Sequence, residues 1–84
     1  MIEKMYYVYI LKSLKNQKFY VGVSGDPEKR AAEHNLGVVK GSKNNLPYEL
    51  VYKEEYNAPK EAKQREYYIK SQKSHRFIED LISS

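Results

Sequence analysis

The strongest pattern in the chain is the unbroken apolar and aromatic run at residues 5–11, Met-Tyr-Tyr-Val-Tyr-Ile-Leu. It is rich in β-formers and lacks polar alternation, so it predicts a strand covered on both faces. Residues 13–17 are polar, and Asn16 tolerates the left-handed backbone that a tight turn can need. A second strand follows at residues 19–23, antiparallel to the first across this hairpin. Strand parity puts Tyr20 and Gly22 on one face and Phe19, Val21 and Val23 on the other. The glycine removes bulk beside Tyr20 and marks a bulge or a close backbone approach.

Asp26-Pro27 sets an N-cap residue before a proline at the first helical position, predicting a helix to Leu36 with Gly37 as its C-cap. Residues 38–46 read as a loop, and Pro47 precedes a third strand at 48–52. Asn57-Ala58-Pro59 opens a second helix by the same N-cap and proline logic, with Ala58, Ala62 and Ile69 as its apolar stripe. Ser74 caps a last short helix carrying Ile78, Leu81 and Ile82. The order β-β-α-β-α-α predicts a small α/β fold, a short three-stranded sheet covered by helices. No repeat or linker divides the 84 residues, so residues 1–84 are expected to form one domain.

Composition narrows the chemistry. No apolar run approaches the ~20 residues a membrane span needs, and residues 1–4 offer no signal-peptide core. The chain has no cysteine, which excludes disulfides, cysteine-ligated zinc, iron–sulfur clusters and thiol catalysis. His34 and His75 are too far apart in sequence to suggest a histidine-rich metal site. These features lead to the expectation of a cytoplasmic, monomeric protein without a membrane partner.

Charge adds a direction. Fifteen Lys and Arg against eleven Asp and Glu give a net charge of +4. All of it falls in residues 57–77, where Lys60, Lys63, Arg65, Lys70, Lys73 and Arg76 face only Glu61 and Glu66. Such a segment is either a footprint for a polyanion, with Lys63, Lys70 and Lys73 as contacts, or a solvated lysine-rich helix face.

Within the first helix Arg30 and His34 share a face with Ala31, which predicts that both sit at an edge near the sheet. Glu66 lies beside the apolar stripe of the second helix and needs a partner there. Arg65 and Lys70 can supply it, or the carboxylate can bind a hard cation that keeps most of its waters. Tyr9 and Tyr20 each read singly as core aromatics. Taken with Arg30, His34 and Glu66 they form a set suited to phosphodiester hydrolysis: a proton acceptor, a cation for the developing charge and a divalent ion.

Tyr7-Val8-Tyr9-Ile10-Leu11, Tyr20-Val21-Gly22, Arg30, His34-Asn35 and Glu66 together resemble the GIY-YIG nuclease module, across residues 6–78. The likeness is to the short stand-alone bacterial members in particular. It implies a mixed three-stranded sheet flanked by helices, with the five residues converging on one concave surface. It also implies a metal-dependent endonuclease acting on nucleic acid, DNA rather than RNA. Glu66 would bind Mg²⁺ or Mn²⁺ and Arg30 would hold the scissile phosphate. Tyr9 or Tyr20 would position the attacking water or accept its proton, with His34 as relay. The chain departs from the family pattern in three places. Tyr7 stands where the first motif has glycine, and Val23 where some members have lysine. Downstream of Glu66 there is no asparagine, only Lys70 and Gln72. The alternatives are a non-catalytic nucleic-acid-binding module of the same fold and a protein-interaction domain using exposed tyrosines.

Overall fold

A computed structural model describes residues 4–39, 41 and 43–84. Met1, Ile2, Glu3, Lys40 and Ser42 lie outside the described residues, and with them most of the N-terminal stretch read for a leader and part of loop 38–46. The hairpin is formed by β1 (Tyr6–Ser13) and β2 (Phe19–Ser24). After it come α1 (Pro27–Asn35), a 3₁₀ turn (Lys43–Asn45), β3 (Tyr48–Tyr56), α2 (Pro59–Ser71) and α3 (His75–Ser83). This is the expected β-β-α-β-α-α order.

The strand order is β2-β1-β3, and β1 pairs antiparallel with both neighbours. The sheet is therefore antiparallel throughout, not mixed. β2 and β3 do run in the same direction, but β1 lies between them and no parallel ladder forms. The segment containing α1 carries the chain from one edge of the sheet to the other.

Local signals act mostly as read. The Asp26 side chain accepts a hydrogen bond from the Lys29 N–H at 3.2 Å, and Pro27 begins α1. Gly37 takes φ 77° just past the helix end, where a side chain would be strained. Ser74 accepts from the Phe77 N–H at 3.0 Å to cap α3. Two details differ. The N-cap of α2 is Ala58, which has no side-chain cap to offer, so Pro59 alone marks that start. In the hairpin the left-handed residue is Gln17 (φ 65°), while the Asn16 side chain accepts from the Lys18 N–H at 3.1 Å.

Each face of the sheet has its own core. Val8, Ile10 and Val21 pack with Ala62 and Ile69 of α2, and Phe77, Ile78, Leu81 and Ile82 of α3 close that side. On the other face Tyr9, Leu11 and Tyr48 pack with Tyr20, Leu50 and Ala31 of α1. Residues 8–11 are accordingly all buried, as their unbroken apolar run requires.

β3 is longer than its apolar part. Pairing slips between Ile10 and Leu11, whose partners are Tyr52 and Leu50, so Val51 is an extra residue in the ladder. The bulge switches the faces beyond it, turning Tyr52, Glu54 and Tyr56 towards α2. There the Glu54 carboxylate accepts from Arg65 Nε at 2.9 Å, Arg65 Nη2 at 3.0 Å, the Tyr56 hydroxyl at 2.7 Å and the Tyr52 hydroxyl. Burial alone pushes the Glu54 carboxyl up, but the bonds from Arg65, Tyr52 and Tyr56 overcome this and hold it below its ordinary value. Burial, then the hydrogen bond to Glu54, pushes the Tyr52 phenol up to about 12. Arg65 is thus the partner of Glu54 and not of Glu66.

Candidate active site

Tyr9 lies at the middle of the central strand, and its register partner on β2 is Gly22. A Cβ placed on Gly22 would lie 2.6 Å from the Tyr9 hydroxyl oxygen and 2.7 Å from its Cζ. The phenol therefore lies flat across β2, over the one position there that has no side chain. The glycine makes room for Tyr9, its cross-strand partner, and not for Tyr20 beside it in sequence.

A row of rings continues from this point. Tyr20 lies 6.4 Å from Tyr9 between ring centroids, and His34 meets Tyr20 edge-on at 4.5 Å. On its other side His34 contacts Tyr48 at 5.8 Å. His34 is fully buried in this row and not at an edge of the sheet, because its neighbour Asn35 pins the end of α1 to β3. Asn35 donates to the Tyr48 carbonyl at 2.9 Å and accepts from the Tyr48 N–H at 2.7 Å, imitating a strand partner. Burial, and then the positive charge of Arg30, hold the His34 ring below its ordinary pKa, so it is neutral at pH 7.

Arg30, one turn earlier on α1, stays partly exposed and pairs with Glu33 at 3.1 Å. Its guanidinium also faces the Tyr9 hydroxyl. Burial pushes the Tyr9 phenol up, the Arg30 hydrogen bond opposes this, and the nearby Tyr20 and Glu66 add to the rise. Tyr9 is consequently a neutral hydroxyl at pH 7, placed within the fields of both a cation and a carboxylate.

Glu66 reaches this region from another layer. α2 packs on the opposite face of the sheet through Ala62 and Ile69, and Glu66 lies between them in helical spacing. The neighbouring Ile69 and Lys70 border β2 residues Phe19, Tyr20 and Val21. Glu66 thus approaches at the β2 side, where the Tyr9 phenol crosses Gly22, and its charge is felt at the Tyr9 hydroxyl. Tyr9, Tyr20 and His34 thus lie on the α1 side of the sheet, with Arg30 on α1 itself, while Glu66 is carried by α2 on the other side.

Lys70 donates to Glu66 at 2.9 Å, the partner that the helical spacing allowed. Lys63 and Lys73 are exposed. Lys73 and Lys70 are joined at one groove by Lys18 from the hairpin, a cation the C-terminal charge count could not include. Among the described residues no three His, Cys, Asp or Glu side chains cluster as a metal site. The candidate donor is a single partly exposed carboxylate, Glu66. That fits a hard divalent cation completed by water and substrate phosphate, and does not fit a closed protein cage.

A small antiparallel sheet therefore lies between helices, with α1 on one face and α2 and α3 on the other. The family model described as the GIY-YIG catalytic domain matches residues 5–77. A UPF0213 protein of Clostridium perfringens is 42% identical over 81 residues, covering 95% of this chain and 85% of that protein. The UPF0213 protein YazA of Bacillus subtilis is 34% identical over 83 residues, covering 94% and 83% respectively. The solution NMR structure of a UPF0213 protein from Bacillus halodurans superposes with a TM-score of 0.59 at 32% identity, covering 94% of this chain and 83% of that one. The chain belongs to the GIY-YIG domain family, among its short UPF0213 members.

Proposed function

We propose that the protein is a metal-dependent endonuclease that hydrolyses phosphodiester bonds in nucleic acid, with DNA as the first substrate to test. The observation that carries this reading is the Tyr9 hydroxyl, seated over Gly22 in the row of rings with Tyr20 and His34 and beside Arg30. Glu66 would hold Mg²⁺ or Mn²⁺ once Lys70 swings aside. When bound, the ion supplies charge for the phosphate and lowers the pKa of a coordinated water. Arg30, half in solvent, binds the scissile phosphate and stabilises the charge that develops on it. The Tyr9 phenol, held neutral by burial, is a poor base, so it orients the attacking water through its hydroxyl. Tyr20 beside it offers a second hydroxyl for that water. The neutral imidazole of His34 behind Tyr20 can receive the proton.

Single-turnover cleavage in Mg²⁺ tests this. Glu66→Gln should abolish cutting while binding in EDTA persists, since the basic surface is untouched. Tyr9→Phe keeps the ring and should slow cleavage by around 10²-fold, the scale for losing an acid–base group. Full activity in Glu66→Gln would remove the assignment. Binding without cleavage by wild type in either metal would establish the non-catalytic module, for which the Lys70–Glu66 pair already supplies a charge partner at the carboxylate.

A further inference from the structure

Beside the candidate site an open groove of about 550 Å³ runs from β2 to the start of α3. Its wall is aromatic: the Phe19 and His75 rings lie 4.6 Å apart between centroids, and Tyr20 continues the surface into the site. The His75 ring is fixed in place, with Nε2 bonded to the Gln17 carbonyl at 3.0 Å and Nδ1 3.6 Å from Glu79. Lys18, Lys70 and Lys73 border the same groove, and no carboxylate is among its lining residues. Lys73 holds its place with a left-handed backbone (φ 49°), a conformation easier for glycine.

An aromatic wall rimmed by three ammonium groups is complementary to a nucleobase and its flanking phosphates. A base paired inside a duplex cannot use it, because both its faces are covered by neighbours in the stack. We propose that this groove binds one unpaired nucleotide of a polynucleotide strand, next to the scissile phosphate. The base lies against Phe19 and His75, and the phosphates lie on Lys18, Lys70 and Lys73. The preferred substrate then carries single-stranded nucleotides beside the cleavage position. This rests on the nuclease reading for the position of the cut, but the binding site itself does not require catalysis.

Fluorescence anisotropy in EDTA, with a short labelled oligothymidylate and a blunt duplex of the same length, tests the binding. Wild type should favour the single strand. His75→Ala should weaken oligothymidylate binding about fivefold or more, the scale for losing one stacked base, and should change duplex binding far less. His75 is exposed at the first turn of α3, so alanine there is compatible with the fold, which circular dichroism verifies. The double variant Lys18→Ala/Lys73→Ala should flatten the salt slope for the single strand by about 1.4, at ~0.7 per phosphate contact. Unchanged oligothymidylate affinity in these variants, or equal losses on both nucleic acids, would overturn the inference. Single-turnover cleavage of the duplex with and without a single-stranded tail separates it from the nuclease reading. Equal rates on both would end the groove assignment and leave the nuclease intact. No cleavage of either, with the His75→Ala binding loss present, would end the nuclease reading and leave the groove.

Discussion

At Gly22 a single missing carbon decides where the candidate nucleophile-orienting hydroxyl can sit. The buried Tyr9 ring has packed neighbours on all sides, and an alanine methyl would fall 2.6 Å from its oxygen and 2.7 Å from Cζ. Deleting the hydroxyl would not relieve the second contact. Gly22→Ala is therefore expected to destabilise the fold by about 1–3 kcal/mol, the usual scale of overpacking, and to displace the hydroxyl. Urea denaturation checks the first effect, and an unchanged midpoint would mean the ring moves aside freely. Strand parity was enough to put Tyr20 and Gly22 on one face of β2. It could not pair Gly22 with Tyr9, because register depends on the hairpin, where Gln17 rather than Asn16 takes the left-handed position.

β3 shows why an element can be longer than its hydrophobic signal. Its apolar pattern ends at Tyr52, and the charges of Lys53, Glu54 and Glu55 resemble a loop. Yet each of the three has a partner: Lys53 bridges to Glu28 of α1 at 2.8 Å, Glu54 to Arg65, and Glu55 accepts from the Tyr7 hydroxyl at 3.0 Å. A one-residue bulge, invisible in the sequence, selects which of them faces α2. The Glu54–Arg65 pair is mostly sheltered and doubly bonded, so it should matter more than an exposed ion pair. Arg65→Ala should lower stability by about 1–3 kcal/mol. Combined with Glu54→Gln the loss should be less than the sum of the single losses, measured as a double-mutant cycle by chemical denaturation. Strict additivity would show that the two side chains do not act as a pair.

Across the whole molecule, two sheltered groups shape the response to acid. The folded state holds His34 below its ordinary pKa, so as pH falls below about 6.5 the unfolded chain takes up the proton first and stability declines. The Glu54 pKa is also depressed by folding, so its stabilisation is complete above the ordinary carboxylate range and is lost as pH falls through the folded value. Denaturation midpoints should thus drop in two stages on acidification. His34→Phe should remove the upper stage and keep the lower; an upper stage that persists would belong to another group. The order of motifs in the sequence was sufficient to select the five candidate side chains. It could not reveal that they come from two layers, since a one-dimensional spacing does not say which face of a sheet a helix covers. Both helices that carry the decisive charges are tied to β3, α1 through Asn35 and Lys53–Glu28 and α2 through Arg65. That strand supplies none of the five candidates, but it ties to the sheet both of the helices that carry Arg30 and Glu66. In a saturation-mutagenesis screen scored on cleavage, Asn35, Glu54 and Arg65 would therefore stand out alongside the chemistry, as marks of alignment rather than of contact with substrate.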